Sequence, residues 1–366
     1  MAQGADVSYN YIGPSFLWER EWDSSDGKMP PPWAKVIGLA RVPDADVVVM
    51  QRPALRWWSD LIPFLQAAGV KVVVDMDDMF AHIDEGNVAK AAYATTGREA
   101  EVHGNSFIDA ACRQADLVIC STPALVKRYG YGHARVIPNY IPERYFLTFG
   151  YSPQTIGWSG SVGTHPKDLQ VTGGAVQDAL DTSGWSFRVV GTGAKVQSLL
   201  GLSEPPATSG WVPFGEYPLE LARLSIGIVP LADTLFNRSK SALKLMEMTV
   251  CGAAVVASPT PDNQRLHEMG VGVLATTPQQ WRKRLNSLVK NDEYRLDLAG
   301  RGREAMRSLT YELNCGRWWD AWASTLDNYT RRDAALDRLD RLETVAAGVT
   351  ESVNPTRQRV QVERSA

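Results

Sequence analysis

The sequence predicts an α/β protein of two doubly wound domains facing each other across a cleft. Buried strands alternate with helices from the start of the regular pattern. Residues 46–50 (DVVVM), a helix over 57–68 closed by Gly69, and residues 70–75 (VKVVVD) form a βαβ unit. The pattern restarts after a linker at 142–153, where residues 155–161 (TIGWSGS) read as a strand entering a glycine turn. At 366 residues and 44% hydrophobic content, the chain is long enough for two cores of ordinary size.

Residues 1–32 hold Tyr9, Tyr11, Phe16, Trp18 and Trp22 and end in three prolines. Such aromatics anchor a terminal arm on a domain, form an acceptor platform or touch a membrane interface. The strand ending at Asp75 runs into Met76, Asp77 and Asp78, so three carboxylates sit where open α/β sheets place their ligands. Clustered acids take a proton or bind a metal, and Asp77 or Asp78 could equally cap a helix. His82 and His103 flank a polar, Ala-rich stretch; isolated histidines of this kind usually serve structure. Residues 115–121 (ADLVICS) are the next strand. Thr122 caps the helix after it, Pro123 takes its first position, and residues 135–138 (RVIP) form another strand leading to Asn139.

In the second half, Gly157 and Gly160 allow a close backbone approach, and free N–H groups ahead of the following helix suit a phosphate. His165 and Lys167 are candidate phosphate contacts. Residues 185–190 (WSFRVV) read as a strand turning at Gly191, 211–213 as a short strand, 217–224 as a helix and 226–230 (IGIVP) as a strand. The loop at 231–237 then leads into residues 239–258 (SKSALKLMEMTVCGAAVVAS).

If 239–250 is one helix, Lys240, Lys244 and Glu247 lie within roughly 60° of one another on an otherwise apolar cylinder. A helix so apolar is buried on most sides, and its charges must open onto a cleft rather than a dry interior. Asn237 or Ser239 would cap it, Gly252 would end it, and 253–258 would continue as a buried strand. Cations at a helix start suit a diphosphate, and Glu247 further along can accept from sugar hydroxyls. The plainer alternative is a surface pair between Lys244 and Glu247. Helices over 262–268, 281–289 and 292–306 and a strand at 270–274 would complete the sheet. An amphipathic helix over 313–329 carries Trp318, Trp319 and Trp322; a charged helix over 331–346, bearing Leu336, Leu339, Leu342 and Val345, offers a self-association face. Residues 350–366 have the composition of a disordered tail.

A net charge of −3 gives no global attraction to nucleic acid or anionic lipid. The four cysteines are too far apart for a zinc site or a disulfide framework. There is no apolar run of membrane-spanning length and no secretory leader pattern, so the expectation is a cytoplasmic protein. No strand ends in GxGxxG with an acid about twenty residues on, which argues against a dinucleotide dehydrogenase.

Glu247, Cys251, Gly252 and the strand Val255 to Ser258 together resemble the donor-site signature of the retaining, nucleotide-sugar-dependent glycosyltransferases of the two-Rossmann (GT-B) type, family 4 especially. Many members carry an earlier Glu eight residues upstream. Ser239 stands there in this sequence, within a Ser-Lys-Ser pattern found in a subset of relatives. Residues 115–142 resemble the end of the family's N-terminal domain, with Tyr140 in place of the usual Gly, and Gly160, Ser161 and His165 fall in a phrase found at the donor diphosphate. Run of acids 75–78 is similar to a feature of polysaccharide-type members.

The resemblance implies two Rossmann-like domains, 1–145 on the acceptor side and 146–312 binding the donor. A helix at 313–330 would cross back, and 331–366 would hold a charged helix and tail. It implies transfer of a sugar from a nucleoside diphosphate sugar to an acceptor hydroxyl, with retention and with no cofactor or metal. Lys240, Lys244, Asp77 and Asp78 would be catalytic; Gly160, Ser161, His165, Gly191, Arg238 and Glu247 would bind the donor, with 211–213 near the base. The acceptor stays open among a glycan, a lipid-linked sugar, a protein and a modified DNA base. A nucleotide-sugar epimerase and an inactive sugar-nucleotide binder are the competing functions.

Overall fold

The computed structural model describes residues 19–20, 36–38, 45–90, 104–147 and 154–326. The aromatic residues before 19, Trp22, His103, the 331–346 segment and the tail lie outside them. Glu19–Arg20 and Val36–Gly38 pair as a short antiparallel ribbon.

The first sheet is parallel, with strands β1 Val47–Gln51, β2 Lys71–Met76, β3 Leu117–Cys120 and β4 Ala134–Val136 side by side in that order. Val72, Val73 and Val74 are wholly buried, because helices or the crossing C-terminal segment cover both faces of the sheet. Helix Arg56–Ala67 returns the chain from β1 to β2, and Gly69 follows it with φ +78°. Thr122 caps helix Pro123–Tyr129 by accepting from Leu125 N–H, with proline at the helix start.

The second sheet holds β5 Thr155–Ser161, β6 Ser186–Thr192, β7 Ala207–Thr208, β8 Ile226–Val229, β9 Ala254–Ala257 and β10 Val273–Leu274. Their order is β10-β9-β8-β5-β6-β7, all parallel. Succession runs one way from β5 and the other way from β8, so a switch point opens between these two strands. Ligands of such sheets bind outside the carboxyl ends at that point.

Several expected boundaries move. The segment 239–250 is not one helix: a single turn Leu235–Arg238 comes first, and the longer helix spans only Leu243–Val250. Thr234 starts the short turn by accepting from Asn237 N–H, and Ser239 Oγ donates back to Phe236 O. Neither Asn237 nor Ser239 caps the longer helix; Asp262, from a later helix, accepts from Ala242 N–H at 2.7 Å. Residues 211–213 form no strand, the helix expected at 217–224 is Tyr217–Leu221, and the described part of the expected 313–329 helix is divided between Tyr311–Asn314 and Gly316–Ala323.

That last helix reaches the first sheet. Trp318 and Ala321 pack with Val73, Leu117, Ile119, Ile137 and Tyr140. Trp319, the next residue round the helix, is 69% exposed. A bridge between Ile141 and Thr310 fixes the approach.

Candidate active site

At the carboxyl ends of β5 and β6, Gly160 and Gly191 lie opposite each other in register. Each has positive φ, and a Cβ on Gly191 would sit 2.3 Å from the carbonyl oxygen of Gly160. Only glycine lets these two backbones come this close. They line a cavity of about 340 Å³ together with Ser159, Val190, Tyr217 and Glu247, rimmed by Gly210, Trp211, Val212 and Phe214. Trp211 is 82% exposed, a large aromatic face left uncovered at the mouth.

Behind Gly160 runs a chain of buried polar groups. Lys244 Nζ lies 2.8 Å from His165 Nε2, and His165 Nδ1 lies 2.7 Å from Asp168 Oδ2. The other Asp168 oxygen accepts from Ala232 N–H at 2.9 Å and from the Asn237 amide at 2.7 Å. Burial alone would raise the Asp168 pKa, but the hydrogen bonds from His165, Ala232 and Asn237 win and bring it below the ordinary value. Asp168 is therefore an anion that accepts from Nδ1–H, which leaves Nε2 of a neutral ring to accept from the Lys244 ammonium. Burial and the neighbouring Lys244 push His165 down to about 4. Burial and nearby Lys240 push Lys244 down to about 8. Its ammonium also lies 5.6 Å from the centre of the Trp158 ring.

Glu247 follows one turn after Lys244 on the same helix. Its Oε2 accepts from the Tyr217 hydroxyl at 3.1 Å. Burial raises its carboxyl to about 7, against the lowering pull of Tyr217 and Lys244.

Lys240 arrives from the turn before the helix and meets Asp78 of the first domain at 3.5 Å, with the Phe236 ring beneath it at 4.2 Å. Burial raises the Asp78 pKa, and Lys240 opposes that. Around this contact, Thr122 Oγ1 donates to Ser239 O at 2.9 Å and Asn139 Nδ2 to Ser241 Oγ at 2.7 Å. The charged seam therefore lies at the junction of the two sheets.

The remaining candidates separate. Asp77 is held by Arg52, whose Nε donates to Oδ1 at 2.6 Å, so its carboxylate is already paired. Neither Asp77 nor Asp78 caps the nearby turn Phe80–His82, which has Met79 at its cap. Arg238 does not join the lysines: it is exposed and gives both guanidinium contacts to Asp233 at 2.5 and 2.7 Å. Ser161 ends β5 and its carbonyl accepts from Thr164 Oγ1. Lys167 and His82 are exposed. Asp75 is 9% exposed, and burial raises it to about 6. Among the described residues no group of acids, histidines and cysteines has the makings of a metal site. No described helix is long and apolar enough to cross a membrane.

Three residues of this constellation escape sequence reasoning, Asp168, Tyr217 and Ser159, while Asn237, expected as a helix cap, instead holds Asp168. Only Asp168, three residues after His165, carries a local signal.

A family model described as glycosyl transferase-like matches residues 174–318. A search of curated proteins by sequence gives no match. Among solved structures, the chain is similar to the pneumococcal O-GlcNAc transferase GtfA in complex with UDP and GlcNAc, at 15% identity and a TM-score of 0.51 over 72% of this chain and 54% of that one. It therefore spans little more than half of that protein. Sucrose-phosphate synthase from Thermosynechococcus elongatus is similar at 14% identity and a TM-score of 0.53, over 77% of this chain and 74% of that one. Anabaena HepE in complex with UDP is similar at 15% identity and a TM-score of 0.52, over 76% and 79%. These neighbours show the GT-B fold, with its two Rossmann-like domains. The family match, which begins after β5 and runs through the rest of the second sheet, supports a glycosyltransferase.

Proposed function

We propose that this protein transfers a sugar from a nucleoside diphosphate sugar to an acceptor hydroxyl, with the donor held at the carboxyl ends of β5 and β6, next to the switch point of the second sheet. One observation carries the proposal: Lys244, His165, Gly160 and Glu247 converge on the carboxyl ends of β5 and β6 beside a cavity with an aromatic mouth. A base would meet Trp211 and Val212. Ribose or sugar hydroxyls would meet Glu247, and the diphosphate would lie against the Gly160 turn and the two lysines.

As the glycosidic bond breaks, negative charge builds on the departing diphosphate. Cations fixed in place before the reaction lower that barrier without reorganising. Lys244 is held by His165 and Trp158, and Lys240 by Asp78, so both are pre-positioned. The acceptor would approach from the first domain, where the run of acids begins with Asp75 near the end of β2 and finishes with Asp78. Asp77, paired with Arg52, has the smaller part in this scheme. Retention follows from the resemblance of the Glu247 to Ser258 stretch to retaining enzymes. UDP is the first nucleotide to test, since two of the similar structures are described as holding it.

The experiment is a thermal-shift screen of the full chain with UDP, GDP and ADP and their glucose and N-acetylglucosamine conjugates. A ligand bound only by the folded state raises the melting temperature by mass action. Release of free nucleoside diphosphate only when an acceptor is present would distinguish a transferase from an epimerase or an inactive binder. No shift with any of these nucleotides would sink the proposal.

A further inference from the structure

Glu247 projects into the cavity with one oxygen already engaged. Tyr217 opens the helix Tyr217–Leu221, whose backbone is fixed by Pro213 O accepting from Tyr217 N–H at 3.1 Å. That helix is pinned to β6 by Arg188 to Glu220 at 2.5 Å and by the wholly buried Leu221. The phenol oxygen then stands 3.1 Å from Glu247 Oε2 and 2.8 Å from Ser159 Oγ, and Ser159 is 4% exposed at the end of β5. An ionised carboxylate only accepts, so Tyr217 donates to Glu247 and Ser159 must donate to Tyr217. Three residues from three elements, all lining one cavity, thus form a directed relay that ends on a carboxylate.

We infer that Tyr217 is a positioning residue: its hydroxyl holds Oε2 of Glu247 so that the other oxygen faces the cavity and selects a ribonucleoside diphosphate over its 2′-deoxy counterpart. This rests on the donor site proposed above. Glu247 stands one helical turn beyond Lys244, which touches the Gly160 turn, and the aromatic mouth lies on the same cavity. A hydroxyl-bearing ring between base and diphosphate would meet this carboxylate. A carboxylate fixed in this way loses a partner when the ribose hydroxyl is missing, and that loss sets the preference. An untethered carboxylate rotates and discriminates less.

The relay also has a pH signature. Lys244, Tyr217, Tyr145 and Cys251 are the titratable groups coupled to Glu247, and burial raises both phenols and the thiol, leaving only Glu247 and Lys244 to change charge near neutrality. The Tyr217 hydrogen bond favours the Glu247 anion. Removing the hydroxyl therefore moves the acid limb of binding to higher pH.

The test measures Kd for UDP and 2′-deoxy-UDP with the full-length wild type, Tyr217→Phe and Ser159→Ala, with GDP and ADP pairs as substitutes if UDP does not bind. The wild type is expected to prefer the ribonucleotide about tenfold. Tyr217→Phe is expected to reduce that preference to about twofold by weakening UDP alone, and Ser159→Ala to reduce it in the same direction by less. Equal weakening of both nucleotides, or an unchanged preference and acid limb, overturns the inference while leaving the donor site standing. Failure of the wild type to bind any of the three diphosphates overturns both. Ser159→Ala supplies the same readout if Tyr217→Phe does not fold.

Discussion

Lys244 and His165 meet at 2.8 Å, a cation donating to a neutral ring whose opposite nitrogen is fixed by Asp168. This holds the ammonium beside Gly160 without neutralising it. Burial pushes Lys244 down to about 8 and Glu247 up to about 7. Donor binding needs the first protonated and the second ionised. UDP affinity measured by calorimetry from about pH 5.5 to about pH 9.5 should therefore peak between these values and fall on both sides. Lys244→Arg should remove the alkaline limb, because guanidinium stays charged throughout. A flat wild-type profile would refute the assignment.

Asp78 faces Lys240 across the junction of the sheets at 3.5 Å. It steadies the lysine, and towards a bound diphosphate it would be a negative charge close to an anion. Asp78→Asn should tighten UDP binding several-fold, most strongly at low salt where the charge is least screened. Turnover with an acceptor should nevertheless fall, if the acid faces the acceptor as proposed. Weaker UDP binding in this variant would show that Asp78 serves mainly to hold Lys240 in place.

The sheets were legible in the sequence because strands such as VKVVVD are buried on both faces and contain almost nothing else. Lys244 and Glu247 were legible for the opposite reason, as charges in a run too apolar for a surface helix. Lys240 reaches the same place by another path, since Thr234 and Ser239 make a separate turn ahead of the helix. Arg238 shows the limit of proximity: a carboxylate five residues back, Asp233, takes it away from the cleft. Asn237 and Asp168 are 69 positions apart, and Tyr217 lies 58 from Ser159 and 30 from Glu247. No local period marks such pairs, because the topology of the sheet alone brings them together.

Glu247 also bears on stability. Its folded pKa, about 7, lies above its ordinary value of 4.5, so the folded state binds more protons than the unfolded state between those values. Stability contributed by this group is complete below about 4.5 and is lost as pH rises towards 7. Glu247→Gln keeps an acceptor for Tyr217 and removes the buried charge. It should therefore leave stability nearly unchanged near pH 4 and raise it by at most about 3 kcal/mol above pH 7, with turnover lost. Denaturant melts at the two pH values check this; equal effects at both would contradict a buried, reluctantly ionised carboxylate.

The glycine pair at the strand ends should separate folding from binding. A Cβ on Gly191 meets the Gly160 carbonyl oxygen at 2.3 Å, and backbone on both sides leaves nothing free to rotate away. Gly191→Ala should cost about 3 kcal/mol or more and give little folded protein. A Cβ on Gly160 meets the buried Trp158 ring at 2.8 Å and Lys244 Nζ at 3.0 Å. Trp158 is 1% exposed and cannot yield, whereas Lys244 is flexible and would be displaced from the turn. Gly160→Ala should thus fold in part and bind UDP at least tenfold more weakly in the folded fraction, through loss of the aligned cation. Gly132→Ala is the control. It shares a positive φ of 93° but has open space around it, so it should cost about 1 kcal/mol and leave UDP binding intact. Wild-type affinity in folded Gly160→Ala would move the diphosphate away from this turn.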